Sequence, residues 1–83
     1  MSPNEGRAVS YATIQVHERI LRRGEVEAIT GLRGGSLDRL IRAGAFPAPF
    51  KLNPADPRSR AIGWHGADVI AWVDQRREMG RAA

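Results

Sequence analysis

A chain of 83 residues has room for one small domain, and with no cysteine it has neither a disulfide framework nor a thiolate zinc site to hold it together. Its formal charge of +4 comes from twelve arginines and one lysine against nine acids, a balance that favours nucleic acid as partner, although an arginine-rich background also makes basic surfaces by default. No apolar run approaches the ~20 residues of a membrane span, no secretory h-region is seen, and His17 and His65 have no carboxylate at a ligand-like spacing, so an intracellular protein without metal or cofactor is expected.

Taken in order, residues 1–7 mix Pro, Asn, Gly and charge without periodicity and read as a disordered lead-in. Tyr11 to Val16 is rich in β-formers. It reads either as a short strand, joining the sheet of this copy or of a neighbouring one, or as an ordered arm lying against the domain. Ile20 and Leu21 are expected to tuck under a first helix.

The next stretch, Arg22 to Gly44, has the plan of a helix-turn-helix. The first helix is predicted from Arg22 or Gly24 to Thr30, with Glu25 and Glu27 in its first turn and Gly31 as its stop. Leu32 anchors the turn. In the second helix Leu37, Leu40 and Ile41 share one face at about 100° per residue, while Arg39 and Arg42 project from the other. Ser36 is expected as its cap with Asp38 in its first turn, and Gly34 and Gly35 would leave backbone N–H groups at that terminus for a phosphate.

Ala45 to Pro49 carries two prolines, so the chain must leave the second helix extended, with Phe46 plugging the core. Phe50 to Leu52 and Ala61 to Trp64 are short β-like runs around Asn53 to Arg60, a segment rich in turn formers. This pattern predicts a β-hairpin whose loop is either a wing on DNA or an ordinary solvated connection. From His65-Gly66 a third helix is predicted to about Met79, with Val69, Trp72, Val73 and Met79 on its apolar side, Ile70 at the margin and a frayed tail after Gly80. Trp64 and Trp72 read as core anchors, with base stacking as the alternative. Arg76, Arg77 and Arg81 are expected to snorkel or to touch a phosphate at the domain edge.

No phosphate-loop pattern, nucleophile elbow or paired carboxylate stands out, and an enzyme is not expected. The positive signal is the placing of charge: Arg33, Arg39 and Arg42 on the turn and second helix, Lys51, Arg58 and Arg60 on the hairpin. A recognition helix in the major groove with a hairpin on the adjoining backbone or minor groove would use both sets. The expected DNA-binding residues are therefore Arg33, Gly34, Gly35, Ser36, Arg39, Arg42, Lys51, Arg58 and Arg60.

The run Ile20 to Trp72 contains E-V-x-x-x-T-G-L at Glu25 to Leu32, R-L-I-x-x-G-x-F-P-x-P at Arg39 to Pro49, K-L from Lys51, and G-W with V-x-x-W ending in Trp72. It resembles the AlpA family of prophage regulators over about two thirds of the chain. The resemblance implies a mainly α winged helix-turn-helix with a small β-hairpin, MerR-like or excisionase-like; the domain is expected over residues 20–80, behind an N-terminal arm at 1–19 that lies outside the resemblance. It further implies a transcriptional regulator or excisionase (recombination directionality factor) of a prophage or mobile element, cytoplasmic and nucleoid-associated. Double-stranded DNA is then the expected partner, with an integrase or RNA polymerase and self-association on DNA as further ones. One departure stands out: where such proteins show S-R-S-T-I-Y, this chain has Arg33-Gly34-Gly35-Ser36-Leu37-Asp38, with an acid near the expected DNA face. That acid and the glycines keep open an alternative, an adaptor that uses the same fold to hold a protein partner.

Overall fold

The computed structural model describes residues 15–82. A single 3-10 turn, Val16–Glu18, leads into β1 (Ile20–Leu21), α1 (Arg23–Thr30), α2 (Gly34–Arg42), β2 (Phe50–Lys51), β3 (Ile62–His65) and α3 (Gly66–Ala82). The protein is thus mainly α with a small three-stranded antiparallel sheet of order β1-β3-β2, an arrangement consistent with a winged helix-turn-helix. The readings for residues 1–7, and for Tyr11 as far as Ile14, lie outside the described residues; Val16 itself opens the 3-10 turn rather than ending a strand. No helix among the described residues is long and apolar enough to cross a membrane.

All three α-helices and two of the three strands send one side chain to the centre: Leu21 from β1, Val26 from α1, Leu37 from α2, Trp64 from β3 and Val69 from α3, with Phe46 from the segment between α2 and β2, whereas both residues of β2 are exposed. Each of the six is buried, and full burial of such a side chain is worth ~1.5 to 3 kcal/mol, so none of these five elements can leave without a large loss. Ile29, Leu32, Leu40, Ile41, Ile62 and Trp72 pack around this cluster half-buried.

Several expectations change. Ile20 and Leu21 form a strand, with Leu21 opposite Trp64 and Ile20 opposite His65. Strand alternation therefore sends only Leu21 inward, and Ile20 is left 43% exposed on the outer face. The third helix does not fray after Gly80 but continues to Ala82, with Arg77 paired to Asp74 and Arg81 to Glu78 at i,i+3. Met79, placed by periodicity on the apolar side, is 55% exposed, because the core ends before that turn of α3.

The hairpin is built by two consecutive turns. Asn53-Pro54-Ala55-Asp56 closes with the Asp56 N–H on the Asn53 carbonyl at 3.2 Å, and Asp56-Pro57-Arg58-Ser59 with the Ser59 N–H on the Asp56 carbonyl at 3.0 Å. Each has Asn or Asp first and Pro second, the order that β-turns favour. The Asp56 carboxylate also accepts the Arg58 N–H at 2.9 Å, and Leu52 and Ala61 extend the ladder beyond β2 and β3.

Candidate nucleic-acid interface

The turn between α1 and α2 is fixed by local chemistry. Gly31 takes the left-handed conformation at φ +76° and gives its N–H to the Glu27 carbonyl at 2.8 Å, ending α1. The Thr30 hydroxyl donates to the Val26 carbonyl at 2.8 Å and accepts the Leu32 N–H at 3.2 Å, so it joins the last turn of α1 to the linker. Leu32 then packs against the core and Arg33 stands as the N-cap of α2.

Two expectations about the helix starts are corrected. Ser36 is not the cap: α2 begins two residues earlier, at Gly34, and Ser36 lies in the first turn with its N–H on the Arg33 carbonyl at 2.9 Å. Asp38 accordingly falls beyond that turn. In α1, likewise, only Glu25 belongs to the first turn, where its carboxylate accepts the Arg22 N–H at 3.0 Å and the Arg19 guanidinium at 2.7 Å.

The amphipathic reading of α2 agrees with the packing. Leu37 is buried and Leu40 and Ile41 are half-buried, whereas Arg39 and Arg42 are exposed. Arg33, Gly34, Gly35, Ser36, Lys51, Arg58 and Arg60 are exposed as well. Arg39 folds back over the first turn, with its guanidinium 3.4 Å from the Ser36 hydroxyl, so Gly35, Ser36 and Arg39 form one contiguous patch. Gly34 differs from its neighbours: its N–H is taken by the Glu27 carboxylate at 3.3 Å, so a phosphate arriving there would meet a negative charge of the protein itself.

Ion pairing divides the cations into two classes. Arg19, Arg23, Arg77 and Arg81 each hold a carboxylate, with Glu25, with Glu27 and Asp38, with Asp74 and with Glu78 respectively. Arg76 lies over the Trp72 ring, 4.9 Å from its centroid. Among the described residues, Arg33, Arg39, Arg42, Lys51, Arg58 and Arg60 form no salt bridge, and neither does Arg22 at the N-cap of α1. Of the described acids, Asp56, in the hairpin, and Asp68 pair with no cation either, so α2 with its N-cap and the hairpin keep six unpaired cations against one unpaired acid.

Sequence reasoning placed Asp38 near the expected DNA face. In the fold it turns toward α1 and binds the Arg23 guanidinium at 2.8 Å. That hydrogen bond raises the Arg23 pKa above its ordinary value, desolvation opposes the rise, and the charges of Asp38 and Glu27 add to it, so the guanidinium stays charged. The Arg23–Glu27 half of this group was visible as an i,i+4 pair. The partner fifteen residues away had no sequence signal.

The family model described as Prophage CP4-57 regulatory protein (AlpA) matches residues 19–77, which span β1 through most of α3. Comparison with curated proteins and with solved structures gave no match.

Proposed function

The chain belongs to the AlpA family of prophage regulatory proteins, and we propose that it is a small sequence-specific binder of double-stranded DNA. It acts on this reading as a transcriptional regulator of a prophage or mobile element, or as the excisionase that sets the direction of its recombination. The single observation that carries the reading is the placing of charge, with every candidate cation of α2 and the hairpin exposed and outside the ion pairs, and with Asp38 on α2 held by Arg23 so that Asp56 is the one acid in these elements without a cation partner.

The division of labour follows from geometry. The α2 side opposite Leu37 carries Arg39 and Arg42, at the spacing of side chains that enter a major groove from one helix face. The hairpin cations Lys51, Arg58 and Arg60 suit phosphate oxygens, which position the protein without reading sequence. Asp38, the residue that favours a protein-binding adaptor, is engaged by Arg23.

Fluorescence anisotropy with duplexes from the protein's own genetic neighbourhood tests the reading. Neutralising several phosphates releases counterions, so affinity should fall steeply between ~50 and ~200 mM salt. Binding that is flat over that range sinks the proposal.

A further inference from the structure

Arg23 is held by both sides of the helix-turn-helix. Its guanidinium reaches Asp38 Oδ1 at 2.8 Å and the Gly34 carbonyl at 3.2 Å, both on α2, and Glu27 Oε2 at 3.3 Å on its own helix. Glu27 Oε2 in turn accepts the Gly34 N–H at 3.3 Å. Arg23, Glu27 and Gly34 thus close a ring across the turn, and Asp38 extends it one helical turn along α2.

We propose that Asp38 is a positioning residue for DNA recognition: through Arg23 it sets how α2 is carried by α1, and so where Arg39 and Arg42 point. The inference rests on the DNA-binding reading above. The Arg23 and Asp38 side chains are 38% and 47% exposed, and an ion pair so open to water contributes little to stability. What it contributes is orientation and charge placement. Asp38 and Arg42 are four residues apart with the acid on the N-terminal side, the spacing at which they would pair on a helix. While Arg23 holds Asp38 toward α1, Arg42 stays free. In this chain Asp38 stands where the S-R-S-T-I-Y pattern places a tyrosine, and Arg23 converts that departure from an obstacle at the DNA surface into a strut.

The test is a comparison in which simple electrostatics and positioning give opposite signs. A duplex selected by the wild-type chain from a randomised library is compared with a scrambled duplex of equal length, for wild type, Asp38→Ala and Arg23→Gln. Asp38→Ala removes a negative charge and should tighten any purely electrostatic binding. Positioning requires instead that it weaken binding to the selected duplex, by about fivefold, with the scrambled duplex bound as well as before or better. Arg23→Gln should lose at least as much on the selected duplex. Amide hydrogen exchange without DNA forms a second arm, with the Gly34 N–H exchanging faster in both variants. Selected-duplex affinity unchanged or improved in Asp38→Ala overturns the proposal. If the wild type selects no duplex, the DNA-binding reading has failed and exchange alone judges the strut: faster Gly34 exchange in both variants sustains it, and unchanged exchange removes it.

Discussion

The carbonyl of Val16 occupies the place that a Cβ on Gly66 would need, and the Arg19 carbonyl lies 3.0 Å from the same point. The Gly66 N–H completes the contact by donating to Arg19 at 2.7 Å. The 3-10 turn is therefore seated backbone to backbone on the start of α3, where only a glycine fits. Backbone cannot swing aside as a flexible side chain can, so Gly66→Ala should cost at least the ~1 to 3 kcal/mol typical of overpacking. Gly80 lies in the same helix with open space around it, so Gly80→Ala should stabilise by ~0.5 to 1 kcal/mol through helix propensity. Urea denaturation of the two variants checks the pair, and equal effects would show that the seat is loose.

Thr30 controls the helix-turn-helix linker through its hydroxyl. Thr30→Val keeps the shape but removes both the donor to the Val26 carbonyl and the acceptor for the Leu32 N–H. The Val26 carbonyl also serves the helix, so the unsatisfied group is the Leu32 amide. A loss of ~1 to 2 kcal/mol is expected, with faster exchange of that amide. Thr30→Ser, which retains the hydroxyl, should recover most of it. A Ser variant as weak as the Val variant would assign the effect to the methyl group instead.

The tryptophans separate core from surface. Trp64 is 1% exposed with its indole N–H on the Pro47 carbonyl at 2.8 Å, and a ring so enclosed has no face for a base. Trp72 is half-buried, meets Phe46 edge to face at 4.8 Å and donates to the Ala45 carbonyl at 2.6 Å. Both carbonyls belong to the chain leaving α2, so the two indoles tie that exit to β3 and α3. Trp64→Phe and Trp72→Phe should each lower stability by ~1 to 3 kcal/mol, one part-buried hydrogen bond and some packing being lost. Urea denaturation measures this. A folded Trp64→Phe protein with unaltered midpoint would contradict the assignment.

What could be read in the sequence was what repeats along one element. The leucine spacing placed Leu37 inward and Arg39 and Arg42 outward, and the Pro and Asn/Asp pattern located the hairpin turns. Two-residue β1 was not legible, because Ile20 and Leu21 become a strand only when β3 offers a partner. The Ser36 cap failed for a related reason: a serine ahead of an apolar run signals a helix start, but Glu27, from the preceding helix, supplies the capping acceptor and lets α2 begin at Gly34. Asp38 was read as an acid near the expected DNA face without its partner, because Arg23 is distant in the chain. Tertiary pairing is invisible to periodicity.

The last prediction concerns how affinity divides between α2 and the hairpin. Arg39 and Arg42 leave the helix face opposite Leu37, and a guanidinium there can fork onto the acceptor edge of a guanine, a contact worth ~1 to 3 kcal/mol of discrimination. Arg58 sits in the second hairpin turn, where its backbone N–H is held by Asp56 and its side chain is exposed, a position suited to phosphate. Arg39→Ala and Arg42→Ala should therefore weaken binding to a selected duplex far more than to a scrambled one. Arg58→Ala should weaken both alike and reduce the slope of log affinity against log salt by about one. The three substitutions change net charge equally, so electrostatic attraction alone predicts similar losses for all of them. Equal losses on both duplexes would leave the basic face as a non-specific phosphate binder and remove base reading from α2.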